Sequence, residues 1–198
     1  MDSTEAPPAD RQAAASPTGA TATPPAGQVV ALHPPRPRCV LNIGVTGHRA
    51  DRLTPALEPA ARQRTRQALA LVQRLVGGIH LKGAGWFTGD APELHVISAL
   101  AEGADRLCAD VALELGYRLD CPLPFTSADY EQDFASPGSR ADYAALCARA
   151  ERILELPGDR SSPTAAYALA GGAILGSADI LLAIWDGKGG SGPGGTAD

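Results

Sequence analysis

Three junctions in the chain combine residue types that bind anions. In the first, the apolar run Leu41-Asn42-Ile43-Gly44-Val45 breaks abruptly into Thr46-Gly47-His48-Arg49. Gly47 lets the backbone turn sharply and come close to a ligand. Thr46 offers a hydroxyl, and Arg49 can fork two N–H donors onto a phosphate. His48 can donate to the same group or act as a base. The competing interpretation is a tight strand-exit turn whose His and Arg are solvated or cap a neighbouring helix.

The second junction runs from Val96-Ile97-Ser98 through Ala99-Leu100-Ala101-Glu102-Gly103-Ala104-Asp105. Ser98 stands where a strand ends, and Gly103 frees backbone amides near a helix start, a natural anion seat. Asp105 falls in the first helical turn, where a carboxylate complements the helix dipole, so it reads as structural. Glu102 precedes the helix and is either an acid/base group, a ribose contact or a solvated side chain. The third junction follows the run Ile180-Leu181-Leu182-Ala183-Ile184-Trp185-Asp186 and has the composition of a phosphate loop. Gly194 and Gly195 expose backbone N–H groups, Lys188 adds a positive charge and Thr196 a hydroxyl. Asp186 is placed to hold a ribose hydroxyl. The stretch lacks the Walker order, and its plain alternative is a flexible Gly/Ser tail. Glu102 and Asp186 are the candidate catalytic carboxylates. No metal site, Ser/His/Asp triad or Cys–His pair can be assembled.

Strands must deliver these junctions to one place. Five apolar runs, 39–45, 94–98, 118–122, 153–156 and 179–185, read as strands. Pro59 suits the opening turn of the first helix, whose apolar face is predicted at Ala68, Val72, Leu75, Val76 and Ile79, with Gly77-Gly78 as its stop. The helix after the second strand carries Leu107, Val111 and Leu115 and stops at Gly116. Ser127 is the expected cap of a short helix that pairs Tyr130 with Phe134. Ser136-Pro137 opens another, with Tyr143, Leu146 and Cys147 inward. Ser162-Pro163 opens the last, through Tyr167, Ala170 and Ile174. Residues 82–93 read as a surface loop. Such alternation predicts an α/β fold, a doubly wound, mainly parallel Rossmann-like sheet with helices on both faces in three α/β/α layers. A strand order of 3-2-1-4-5 opens a crevice beside the Thr46-Gly47-His48-Arg49 turn, at the carboxyl edge where ligands of such sheets bind.

Bulk properties narrow the function classes. The 198-residue chain has a formal net charge of -5, unlike a sequence-blind nucleic-acid binder with its basic face. Residues 1–38 are rich in Ala, Pro, Thr and Gly and are expected to form a disordered tail. Residues 39–198 form one domain, which is either cut short after Thr196 or completed by another chain, since the helix expected there is missing. No basic-apolar leader and no apolar run long enough to span a bilayer is present. Cys39, Cys108, Cys121 and Cys147 form no C-x-x-C pair, which reads as reduced core thiols of a cytoplasmic protein.

Ile97-Ser98-Ala99-Leu100-Ala101-Glu102-Gly103-Ala104-Asp105, with Ala112-Leu113-Glu114-Leu115-Gly116 closing the following helix, resembles the S-G-x-A-x-G-x-D segment of the DNA-processing protein DprA/Smf. Gly194-Gly195-Thr196 resembles the P-G-G-x-G-T loop of LOG-type phosphoribohydrolases. Together with Gly44-Val45-Thr46-Gly47-His48-Arg49 they resemble the SMF/DprA–LOG (SLOG) superfamily over residues 40–196. The resemblance implies a nucleotide-type ligand and a dimer. It implies one of three activities: sensing of nucleotide-derived signals, as in bacterial defence systems, hydrolysis of nucleoside 5'-monophosphates at the glycosidic bond, or binding of single-stranded DNA. The sensor is the leading expectation, with Thr46, Gly47, Arg49, Gly194, Gly195 and Thr196 around the phosphate and Ser98 and Gly103 on the base or ribose side. The glycosidase is the alternative. The acidic balance makes DNA the least favoured partner, and no cofactor beyond the nucleotide ligand is implied.

Overall fold

Residues 34–188 are described by a computed structural model. In chain order they form β1 (Val40–Gly47), α1 (Glu58–Lys82), β2 (Glu93–Ile97), α2 (Ala104–Glu114), β3 (Arg118–Leu123), α3 (Ser127–Tyr130), a 3-10 turn (Glu131–Asp133), α4 (Pro137–Arg149), β4 (Arg152–Glu155), α5 (Pro163–Ser177) and β5 (Ile180–Ile184). The expected tail as far as residue 33, and the glycine-rich stretch with Gly194, Gly195 and Thr196, lie outside the described residues.

All five strands are parallel, in the order β4-β3-β2-β1-β5. This corrects the expected 3-2-1-4-5. Right-handed crossovers allow both orders, and side chains separate them. Arg152 of β4 forks onto Asp120 of β3 at 2.8 and 2.7 Å, fixing β4 outside β3. β5 then takes the place beside β1, with Gly44 opposite Leu181 and Thr46 opposite Ala183. The chain therefore reverses direction between β1 and β5, and the switch point still flanks the end of β1.

The two faces of the sheet can be told apart from two glycines on β1. A Cβ at Gly44 would meet Ile174 and Ala178 at 2.9 Å, whereas one at Gly47 would meet Ala104 at 2.5 Å. Hence α5 covers one face and α2 the other, with α1 and α4 packed beside α2. That makes three layers, as expected. The main core lies under α2, where Ile43, Val45, Val96, Leu119, Cys121 and Val111 are almost completely buried. On the α5 face the buried polar pair His95 and Asp120 is joined, His95 Nδ1 lying 2.8 Å from Asp120 Oδ2, and the Arg152 fork completes the carboxylate's partners.

Helix α1 differs from its predicted pattern. Its inward residues are Thr65, Leu69, Val72 and Val76, while Leu75 and Ile79 are 56% and 59% exposed. The inward set also repeats at helical spacing, so periodicity alone does not choose between the two stripes. The helix continues through Gly77-Gly78 to Lys82, because both glycines stand in open space and nothing forces a turn there. It ends where the Gly83 N–H bonds to Ile79 O at 2.8 Å.

The cap of α3 is Thr126, whose hydroxyl accepts from the Asp129 N–H at 3.3 Å; Ser127 instead bonds the Tyr143 hydroxyl at 3.0 Å. Ser136 caps α4 as expected. Beyond the end of β3, Phe125, Tyr130, Phe134 and Tyr143 form an aromatic cluster with centroid spacings of 5.0–6.4 Å. Arg106 enters it with its guanidinium carbon 4.0 Å from the Phe134 centroid. Three of its N–H bonds reach Leu100 O, Ser139 O and Ser139 Oγ, and Nη2 has only the ring for company.

Candidate functional site: a cleft at the strand ends

The carboxyl ends of β1 and β5, the loop after β2 and the flank of α5 enclose a cleft of about 760 Å³. That volume suits a mid-sized organic ligand. The charged and titratable residues of its lining are His48, Arg49, Asp51, Arg52, Glu102 and Asp105. Its apolar lining comes largely from α5 and β5, with Ala170, Ile174, Leu175, Leu181 and, just beyond β5, Trp185.

Close contact between two loops shapes the wall around His48 and Arg49. Gly103 has φ +100°, and a Cβ there would lie 2.5 Å from His48 O and 2.7 Å from Ala50 N. Only glycine fits such a backbone at such a distance. The Ala104 N–H then bonds His48 O at 3.0 Å, tying the start of α2 to the turn after β1. Leu100, in the same loop, adopts φ +58° although it is not glycine. Its N–H on Ser98 Oγ and its carbonyl on Arg106 Nε hold it in that strained region.

Arg49 projects from this turn. Its guanidinium carbon lies 5.5 Å from the centroid of Tyr167, a cation–π distance. Tyr167 is itself fixed, its hydroxyl donating to Asp133 Oδ2 at 2.6 Å and its ring edge-on to Phe125. Asp133 and Asp129 are in turn held by Arg160. The acidic residues Asp129 and Asp133 therefore belong to the brace of the Arg49 stacking platform. No carboxylate pairs with Arg49 among the described residues.

The other predicted residues divide into two groups. Thr46, Gly47, His48, Arg49 and Glu102 reach the cleft wall. Ser98 does not; it is completely buried, its Oγ donating to Asp105 O at 3.3 Å and accepting from the Leu100 N–H at 3.2 Å. Gly103 lies behind the wall, where it lets the two loops touch. The Glu102 carboxylate receives the Ser139 hydroxyl, which also holds Arg106. Asp186 sits beside His48, with its N–H and its Oδ1 each 3.0 Å from Nε2, and with Arg52 3.5 Å away. The neutral ring accepts the amide, and a ring protonated at Nε2 donates to the carboxylate. The Lys188 N–H, the His48 contact and the Arg52 guanidinium hold the Asp186 carboxyl below the usual range. Lys188 is exposed and off the lining, and its carbonyl accepts from Trp185 Nε1 at 2.6 Å.

Arg52, Tyr130, Tyr167 and Asp105 also line the cleft; in the sequence Asp105 reads as structural, the two tyrosines read as helix packing, and nothing singles out Arg52. Asp105 has an unusual setting. Burial raises its carboxyl to about 7, against the opposing influence of the Ala101 N–H, Arg49 and Arg106. The four cysteines are unpaired thiols. Burial raises Cys108 to about 12, consistent with a packing role. Among the described residues no group of three or more His, Cys, Asp or Glu could hold a metal ion, and no helix is long and apolar enough to cross a membrane.

No protein-family model matches the chain, and no curated protein does. Among solved structures it is similar to the X-ray structure of TM1055, a Northeast Structural Genomics Consortium target, at 13% identity and a TM-score of 0.41. The match covers 73% of this chain and spans 60% of the length of TM1055.

Proposed function

We propose that the cleft binds a phosphate-bearing, nucleotide-type small molecule and that the chain is a SLOG-type ligand-binding domain acting as a sensor. One observation carries the proposal: Arg49, at the switch point of a parallel sheet, lies over Tyr167, and among the described residues its guanidinium makes no hydrogen bond or ion pair. A guanidinium oriented by an aromatic platform and not locked in an ion pair is suited to a phosphate. The apolar remainder of the cleft suits the base of a nucleotide. Thr46 and the turn at Gly47 flank the phosphate position. The same reading makes the protein a cytoplasmic homodimer, as the superfamily resemblance and the four unpaired thiols favour.

Glycosidic cleavage is less well supported, because Glu102 and Asp186 are already engaged by Ser139 and by His48 with Arg52. Isothermal titration of the folded protein with AMP, NAD and ADP-ribose tests the proposal. Saturable 1:1 binding of at least one of them is expected, and no heat from any would overturn it.

A further inference from the structure

We infer that Asp105 is itself a ligand contact, holding a proton at the inner wall of the cleft and donating it as a hydrogen bond to an oxygen of the phosphate seated against Arg49. The inference deepens the proposed function and rests on it.

Asp105 lies in the first turn of α2 and shares the cleft wall with Arg49. Its carboxyl receives one hydrogen bond, from the Ala101 N–H to Oδ2 at 3.3 Å, and no side chain donates to it among the described residues. The neighbouring carboxylates differ: Glu102, on the same lining, has Ser139, and Asp186, off the lining, has His48 and Arg52. Asp51 is exposed at the rim. Asp105, half-buried on the cleft lining, thus keeps hydrogen-bonding capacity that no protein side chain among the described residues uses.

The groups around it decide its protonation. Arg49 from the turn after β1 and Arg106 from α2 favour the anion, but desolvation outweighs them and holds the carboxyl near 7. Tyr130 from α3, Cys121 from β3 and Cys108 from α2 also face it, and burial raises all three well above neutrality. They bring no charge. His48 and Arg52 are turned toward Asp186, and Tyr167 from α5 donates to Asp133. A bound phosphate changes the balance. An ionised Asp105 would repel it, whereas one proton shared between them turns the repulsion into a charge-assisted hydrogen bond. Above the free carboxyl's titration point that proton is taken up from solvent as the ligand binds.

The test uses the whole chain and ADP-ribose, whose diphosphate does not titrate near neutrality. Affinity is measured by calorimetry from pH 5.5 to 8.5, in two buffers of different ionisation enthalpy at each pH, for the native protein, Asp105→Asn and Arg49→Ala. The native protein should weaken by about tenfold per pH unit above about pH 7 while taking up one proton. Asp105→Asn, with its permanent N–H donors, should bind with little pH dependence. A native Kd that is flat with pH, or the same slope in Asp105→Asn, overturns the role of Asp105 while binding lost in Arg49→Ala would leave the cleft proposal standing. No binding at any pH overturns both. If Asp105→Asn does not fold, the native slope and proton count still decide.

Discussion

The guanidinium of Arg49 stands 5.5 Å over the ring of Tyr167, and Asp133 pins that ring from behind through a 2.6 Å hydrogen bond. The cation is positioned by the aromatic ring, and among the described residues no hydrogen bond or ion pair occupies its N–H fork. An ion pair would have consumed it. Arg49→Ala should therefore weaken nucleotide binding by tenfold or more, about 1.5–3 kcal/mol for a lost charge-assisted contact, with little change in thermal stability. Tyr167→Leu should weaken binding through misplacement of Arg49, and Tyr167→Phe less. Calorimetry beside thermal melts separates the two effects.

Gly103 and the turn after β1 are in contact that admits no side chain. Gly103→Ala adds both a strained positive φ and a collision with His48 O and Ala50 N, so it should destabilise by more than about 1 kcal/mol. Urea unfolding should show a lower midpoint. It should also weaken ligand binding, because the loops it separates carry Arg49 and Asp105.

Asp105 links the site to stability. Its folded value of about 7 exceeds the usual 3.8, so between those limits the folded state binds more protons than the unfolded one. Stability from this group is greatest below the lower limit and is lost as pH rises to the upper. Asp105→Asn removes the penalty, and should raise the melting temperature at pH 8 by an amount on the order of 1–3 kcal/mol in stability, with the gain shrinking toward pH 5.

Asp120 has the opposite sign. Burial would raise its carboxyl, but the Arg152 fork and His95 overcome that and hold it below the usual value. Its stabilisation is present above the unfolded value and is lost as pH falls through the lower folded one. Arg152→Ala should cost about 1–3 kcal/mol at pH 7 and release the β4 edge, seen as faster amide exchange in β4.

Trp185 lines the cleft, whereas Trp86 is 78% exposed in the loop after α1 and off the lining. In Trp86→Phe, the remaining indole should report nucleotide titration as a saturable fluorescence change. An unchanged spectrum alongside calorimetric binding would move the ligand away from this cleft.

Much of the fold was legible because apolar runs such as Leu41-Asn42-Ile43-Gly44-Val45 and Ile180-Leu181-Leu182-Ala183-Ile184 end in glycine or polar residues that mark strand ends. Their lateral order was not legible. It rests on contacts between distant residues, Arg152 with Asp120 for one, that no local pattern encodes. The α1 stripe failed for a related reason: Leu69 and Leu75 both lie on helical repeats, and only the partner surface chooses between them. In the site, the Thr46-Gly47-His48-Arg49 turn could be picked out by composition. Asp105 could not, because a carboxylate in a first helical turn has an ordinary electrostatic explanation. Nor could Tyr167, which shares its helical stripe with the buried Ala170 and Ile174.

A crystal structure of the protein soaked with ADP-ribose tests the central claim most directly. The diphosphate should lie within hydrogen-bond distance of the Arg49 guanidinium, with the adenine against the α5 flank. Density for the nucleotide elsewhere, with Arg49 untouched in a fully occupied complex, would contradict it.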